Sequence, residues 1–536
     1  RDGEARALAF DAAWFERAIL RPLKDLGANA LRWHLGMPPR RLVDLCDRLG
    51  LAIQVEWHAF HGLDGSPESL EAQWRSWLWT WAAHPSCVLF HAWNETESDL
   101  LAKGFAALER VAGGLPPLVL AHRDTIHLHK YWWSLFENVG CYVDDIARFG
   151  RAVVSDEFGG NYLDGQGDPG GYPSLRPSFR RFLGDHHDAP ARLALQAESN
   201  ARMAEYWRRL DAAGVSPFCI AGSWEDGNHH FLGPLAEARP KPVWRALSAA
   251  YAPVAASLDR WDQHEAPGAT VDLPLWIGND TTAAVQAQIE VRCDGVVRSH
   301  LTVAVSAHGR ERRRVALRLP DDEALHRIEV VTLAPAPAAG APVSAWDIAT
   351  VRPWDARGLD CEALDDHAAA FLDRHGAQLG GRGVLVGRRP AWTALAAGDT
   401  AMGARITAAL AAGRHVVLLE AGPRFLGSSY DTPAVYQQAD GIPPQAAHQE
   451  EVALPAGLRA RFTWLPEPET FLHPDAQHGL DAGLPGGRPR LWNGLRGGIS
   501  VPAVGMELSG LGPEAYLAQW SARGADPAAV RAGRCI

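Results

Sequence analysis

Lysine is scarce in this chain: of 52 basic residues, only Lys24, Lys103, Lys130 and Lys241 are lysine. Arginine supplies the rest, which reads as coding bias rather than function. No apolar run approaches the roughly 20 residues that a membrane-crossing helix needs, so no membrane span is expected. Cysteine is sparse and scattered, with seven in 536 residues and no CxxC pair. That spacing favours buried free thiols over a disulfide framework or a zinc site. Positive charge is not in excess. The net charge of −11 is spread along the chain, which argues against nucleic acid or an anionic membrane as partner. No HExxH, P-loop or G-x-S-x-G occurs. The chain opens at Arg1-Asp2-Gly3 without an initiator Met and stops at Ile536. It is read as a piece of a longer protein, so its compartment stays open.

What is present is a run of short apolar strands ending in polar residues. Cys87 to Phe90 follow the helix stop Ala83-His84-Pro85-Ser86 and lead into Trp93-Asn94-Glu95. A short apolar run bounded this way reads as a buried parallel strand. Ala152 to Ser155 repeat the pattern and lead into Asp156-Glu157-Phe158-Gly159. Further strands are expected at Ala30–Leu35, Leu51–Trp57, Leu118–His122, His127–Trp133 and Phe218–Trp224. Helices fall between them, near 39–49, 68–83, 98–112 and 190–212. Pro22 interrupts an earlier helical pattern over 11–26 and is expected to kink or split it. This alternation predicts a (β/α)8-type TIM barrel over residues 1–253, with its first strand expected upstream of Arg1.

From about residue 268 the period changes to two: Val285, Ala287, Ile289 and Val291 alternate with polar residues. Short alternating strands predict an immunoglobulin-like β-sandwich over 254–342. The stretch APAPAAGAP, 334–342, reads as a linker. Beyond it, 343–536 reads as a small doubly wound α/β domain, flavodoxin- or amidotransferase-like. Neither Cys361 nor Cys535 follows a strand into the tight turn that an amidotransferase nucleophile needs. A structural or oligomeric role, such as holding a homo-oligomer together, is therefore expected of it.

The contexts Asn94-Glu95 and Asp156-Glu157-Phe158-Gly159, with GANALRWHLGMPPRRLVDLCDRLGLAIQVEW at 27–57, resemble glycoside hydrolase family 2. That family holds β-galactosidases, β-glucuronidases and β-mannosidases. The resemblance covers roughly residues 10–253. It implies a retaining β-glycoside hydrolase acting on carbohydrate, with no cofactor and no catalytic metal, and N-terminal sandwich domains before Arg1. By resemblance Glu95 is the acid/base and Glu157 the nucleophile. Two carboxyls about 5–5.5 Å apart would suit double displacement. Trp93 supplies the apolar setting in which an acid keeps its proton. Arg32 matches the family's strand-two arginine and is the candidate cation beside the nucleophile. Asn94 is the candidate partner of the sugar 2-hydroxyl, and Trp224 the stacking platform. His34, His129 and Tyr131, near strand ends, are candidates for other sugar hydroxyls, as are Trp57 and His58.

Two departures leave the sugar open: Trp33-His34-Leu35-Gly36 where the family usually reads Ser-His-Tyr-Pro, and Trp93 where it usually has Gly. The pairs His127/His129, His186/His187 and His229/His230 have no third ligand at defined spacing, so metal binding is not expected. The reading from a different class is a catalytically silent carbohydrate-binding or scaffold protein on the same fold.

Overall fold

The structure is a computed structural model. It describes residues 7–60, 65–94, 101–115, 118–121, 123–130, 150–159, 162–169, 179, 183, 187–222, 229–260, 264–335, 340–350, 356–396 and 398–418, and short backbone strands between 449 and 521.

Its first region is built on parallel strands. Ala30–Trp33 (β1), Ala52–Glu56 (β2) and Cys87–His91 (β3) pair in that order. Bridges from Phe90 to Leu120 and from Ala121 to Thr125 continue the row. Thr125–Lys130 (β4), Ala152–Gly159 (β5) and Gly214–Phe218 (β6) complete it, again in parallel. Two of these strands differ from expectation: β4 starts at 125 instead of 127, and β6 runs 214–218 where 218–224 was expected, so it ends six residues before Trp224. Residues 7–10 are helical. Among the described residues β1 pairs only with β2, and β6 only with β5.

The connecting helices follow from sequence. Arg40–Leu49 (α1) buries Leu42, Val43, Leu45 and Cys46 and stops at Gly50, which is left-handed. Only glycine adopts that conformation without strain. Pro67–Trp81 (α2) is capped by Ser66 and buries Leu70, Trp74, Trp77, Leu78 and Trp81 at spacings of three and four. Leu101–Ala112 (α3) and Ala189–Arg209 (α4) follow, the latter capped by Asp188. Before β1, the expected break at Pro22 is an insertion. A π-helical turn at Glu16–Leu20, closed by Arg21 N–H onto Glu16 C=O, separates two short helices, and Pro22 sits in the first turn of the second. The missing proline donor is harmless there.

The strands alternate. Ile53, Val55, Phe90, Ile126 and Leu128 join the apolar core with the tryptophans of α2. Their neighbours Gln54, Glu56, His91, His127 and His129 are buried without belonging to that core. Gln54 of β2 bonds Asp156 of β5, and Arg32 of β1 reaches Glu157 of β5. The sheet therefore curls, with its polar side chains on the inner face.

The second region is antiparallel, in two sheets. Val254–Leu258, Thr270–Asn279 and Arg310–Arg318 form one. Val285–Cys293, Val296–Val305, Leu325–Ala334 and Val343–Thr350 form the main part of the other. Val343–Thr350 corrects the expected boundary at 342. It pairs with Leu325–Ala334 through Leu325↔Ala349 to Val331↔Val343 and buries Trp346 and Ile348. The Pro/Ala stretch joins two strands of this region. Helix α4 is keyed to it: Glu205 accepts from Ser344 Oγ at 2.8 Å, and Arg202 donates to the Arg260 carbonyl at 2.8 Å.

The third region has four parallel strands, in the order Gln378–Leu379, Asp360–Ala363, Val384–Gly387, His415–Leu418. Helices Asp366–Arg374, Arg389–Ala396 and Thr400–Ala411 lie between them in sequence. Cys361 is buried inside a strand, and burial pushes its thiol pKa up, the reverse of what a nucleophile needs. Beyond 448 the strands are antiparallel, Gln449–Ala453 with Arg459–Trp464 and the latter with Val504–Ser509. Doubly wound alternation does not predict that pairing.

Candidate active site

The inner face of the curled sheet is organised by one guanidinium. Arg32 stands on β1 opposite Gln54, and its side chain is 5% exposed. Nε donates to Glu56 Oε1 at 2.5 Å. Nη1 donates to Glu157 Oε1 at 2.6 Å and to the Asp156 carbonyl at 2.9 Å. Nη2 donates to Asn94 Oδ1 at 2.8 Å. A planar fork with five N–H donors can serve acceptors from three strand ends at once. Burial alone would lower the Arg32 pKa. Glu56, Glu157 and Asp156 outweigh it and raise it well above the usual arginine value.

Asp156 and Glu157 are consecutive, yet both face Arg32, with Asp156 Oδ2 at 3.8 Å from Nε. A regular strand would send them to opposite faces. Register explains the exception. Between His127↔Val154 and His129↔Glu157, β5 advances three residues while β4 advances two. Between Ser155↔Val215 and Phe158↔Pro217, β5 again carries one more residue than its partner. The extra residue is a β-bulge, and it re-aims the pair of acids. Just beyond, Gly159 has a φ of +107°, a conformation that favours glycine, and an added Cβ would lie 2.5 Å from Asn200 Oδ1 of α4.

A second tier surrounds the acids. Asp156 Oδ2 accepts from Gln54 Nε2 at 2.9 Å and bonds His127 Nδ1 at 2.7 Å. Glu56 Oε2 accepts from Leu35 N–H at 2.8 Å and lies 3.1 Å from His34 Nδ1. Burial would raise both carboxyl pKa values. Nearby cations and hydrogen bonds outweigh it and hold both well below the usual range: Arg32, then His34 and His91 for Glu56; His127, then Arg32 and His129 for Asp156. His91 moves the other way, its pKa pushed down to about 4 by burial and by His127.

Of the residues expected from sequence, Arg32, Asn94 and Glu157 meet directly. His34 sits at the rim, its side chain 27% exposed and 3.7 Å from Glu157 Oε1. His129 is fully buried and faces Asp156 and Glu157, which differs from the expected contact with a sugar hydroxyl. Trp57 and His58 stack on each other at the end of β2. Glu95, Tyr131 and Trp224 lie outside the described residues. Trp93 is buried against Trp74 and Phe105, an apolar wall immediately before Glu95.

Sequence reasoning missed Gln54, Glu56, His91 and Asp156. The signal for the first three was present: polar residues at alternate positions inside apolar strand runs. Asp156 carried no such signal, because once Glu157 is taken as inward, period-two alternation sends its neighbour to the other face. His91, His127 and Asp156 bring one ligand atom each to within 4.8 Å of one another. Asp156 Oδ2 is already engaged by Gln54 and His127, and the Arg32 guanidinium lies 3.8 Å away. Hydrogen bonds account for the cluster, and a metal cation would meet that positive charge.

No family model matches the chain. A curated Formosa agariphila protein, provisionally named a β-glucuronidase, is 32% identical over 89 residues, 15% of this chain and 9% of that protein. Among solved structures the chain is similar to a Dictyoglomus thermophilum β-D-mannosidase, with 14% identity, 63% of this chain, 48% of the other and a TM-score of 0.44. It is also similar to Bacteroides uniformis β-glucuronidase 3, with 13% identity, 65% of this chain, 47% of the other and a TM-score of 0.35. The proteins it is similar to thus carry the glycosidase names that the sequence resemblance anticipated. The chain spans about half the length of those solved structures.

Proposed function

We propose that the chain carries the catalytic (β/α)-barrel of a retaining β-glycoside hydrolase. The single observation that carries the reading is the Arg32 contact set. One buried guanidinium binds Glu157 Oε1 at 2.6 Å and Asn94 Oδ1 at 2.8 Å, joining the β5 acid to the residue that precedes Glu95. An ion pair at that distance suits a group that must attack as an anion.

In the proposed chemistry a Glu157 carboxylate oxygen bonds to the anomeric carbon as the glycosidic C–O bond breaks. The bonding pair leaves with the aglycone oxygen, which takes a proton from Glu95. Water then attacks the glycosyl-enzyme, giving a proton to Glu95, and Glu157 departs as carboxylate. Asn94, aligned by Arg32, is available to the sugar 2-hydroxyl. The names of the similar proteins, β-glucuronidase and β-mannosidase, frame the sugars to try without choosing between them.

Glu157→Ala is the test, assayed on nitrophenyl β-glycosides of gluco, galacto, manno and glucurono configuration. Turnover is expected to vanish, and azide to restore it with an α-glycosyl azide as product. Wild-type turnover in the variant ends the assignment. Sugar binding without turnover in the unaltered protein favours the silent carbohydrate-binding reading.

A further inference from the structure

His129 sits where two neighbouring carboxylates converge. Its Nε2 lies 3.2 Å from Asp156 Oδ1 and its Nδ1 3.5 Å from Glu157 Oε2, with the ring fully buried. Both contacts are at ion-pair distance and are attractive between charges when the ring is protonated. A neutral imidazole has one N–H and one lone pair. Only the imidazolium is attracted by carboxylates at both nitrogens.

The surrounding charge points the same way. Glu56, Asp156 and Glu157 all lie within 4 Å of one guanidinium, and buried charge of one sign is costly unless matched. The titratable and charged groups around this point, among the described residues, are Arg32 and His34 beside β1, Glu56 on β2, His91 on β3, His127 on β4, and Asp156 and Glu157 on β5. His91 is neutral at neutral pH, its pKa held to about 4 by burial and by His127. His127 meets the carboxylates through Nδ1 alone, on Asp156, and turns its second nitrogen to Thr125 Oγ1 at 2.7 Å. His34 offers the carboxylates one nitrogen only.

We infer that His129 is a positioning residue, held as an imidazolium between Asp156 and Glu157. It is the second cation on the nucleophile: Arg32 fixes Oε1, and His129, anchored by Asp156, fixes Oε2. The inference rests on Glu157 being the nucleophile. It also gives the β5 bulge a purpose, since alternation would send Asp156 and Glu157 to opposite faces and the extra residue lets both reach the ring.

The experiment uses the whole chain and 2-deoxy-2-fluoro-β-glycosyl fluorides of gluco, galacto, manno and glucurono configuration. In trapping, a carboxylate oxygen bonds to the anomeric carbon and fluoride leaves with its bonding pair. Mass spectrometry locates the label, and its rate is followed against pH. The unaltered protein is expected to label at Glu157. In His129→Gln, labelling of Glu157 is expected to slow by about 10- to 100-fold, the range for loss of one charged contact. The acid limb of its profile should move up by about one pH unit, because the nucleophile loses a cation. In Asp156→Asn the alkaline limb should move down, because the imidazolium loses its anchor. A simple packing role would slow the reaction without moving either limb. Labelling at Glu157 with both limbs unmoved overturns the inference alone. Absence of label at Glu157 with every probe overturns the nucleophile reading and this inference with it. Near-ultraviolet circular dichroism confirms that each variant is folded, and the two variants test opposite limbs independently.

Discussion

The curled parallel sheet and the antiparallel sandwich bury their inner faces in opposite ways. In the sandwich, Leu273, Leu275, Ile277, Ala287, Ile289 and Val291 fill the interior, and Arg312, Arg314 and Arg318 stand on the outer side of Arg310–Arg318. In the parallel sheet, apolar side chains pack outward against helices. The inner face holds Arg32, Gln54, Glu56, His91, His127, His129, Asp156 and Glu157. Both regions bury apolar surface, but the inner face of one is held by the exclusion of water, which is tolerant of detail, and the difference lies in the other inner face. The other is held by matched charge, which is not: each member left alone is a buried, unbalanced group.

Acid should separate the two regions most strongly. Unfolded, His91 takes up its proton from about pH 6.5 downward; folded, burial and His127 delay this to about pH 4. The unfolded state therefore binds more protons in that window, and the stability of the sheet falls as pH drops from 6.5 toward 4. Between pH 7.5 and 4.5 the loss is about 2–3 kcal/mol from this one ring. Glu56 and Asp156, held low, act in the same direction further down. Their stabilisation is complete above the ordinary carboxylate value and is lost as pH falls through their lower folded values. Hydrogen exchange, corrected for its intrinsic pH dependence, should show lost protection in Ala52–Glu56 and Ala152–Gly159 while Thr270–Asn279 and Val285–Cys293 hold. Equal losses in both regions would erase the distinction.

Removing the shared cation comes next. Arg32→Ala is expected to destabilise the sheet by about 3–5 kcal/mol, the scale for stripping one partner from a buried ionic cluster. Arg32→Lys should recover only part of this in a urea melt, because an ammonium cannot span acceptors on three strand ends. The smallest effect belongs to the sandwich. Ile289→Val should cost about 0.5–1.5 kcal/mol and leave the proposed glycoside turnover unchanged.

The same contrast explains what could be read in advance. Sandwich strands were legible because each has a wet face and a dry face, so Val285 to Val291 announce themselves by alternation. Its end was misjudged because Val343–Thr350 follows a proline-rich stretch that composition alone labels a linker. Helix α2 was legible from its tryptophan spacing. In the parallel sheet, the strand ends at Asn94 and Glu157 and the arginine at 32 stood out as polar stops after apolar runs. Their partners did not. Which carboxylate meets which cation depends on how far the sheet curls, and no local pattern encodes that. Asp156 was hidden for a sharper reason: with Glu157 taken as inward, alternation sends its neighbour outward, and only a one-residue irregularity in β5 lets both acids share a face.

That irregularity also makes β5 a counting device. Val154 pairs with His127 and Glu157 with His129, three residues against two, so both sides of the irregularity keep the same inward sense and one residue is spare. An in-frame loss of the codon between Ser155 and Glu157 would leave a strand of ordinary composition and ordinary pairing, with Glu157 and Phe158 still opposite His129 and Lys130. It would remove only Asp156, and with it the acceptor that Gln54 and His127 share. Among relatives of this chain, a length difference of one in this segment would therefore mark copies that keep the β5 glutamate without its neighbouring acid.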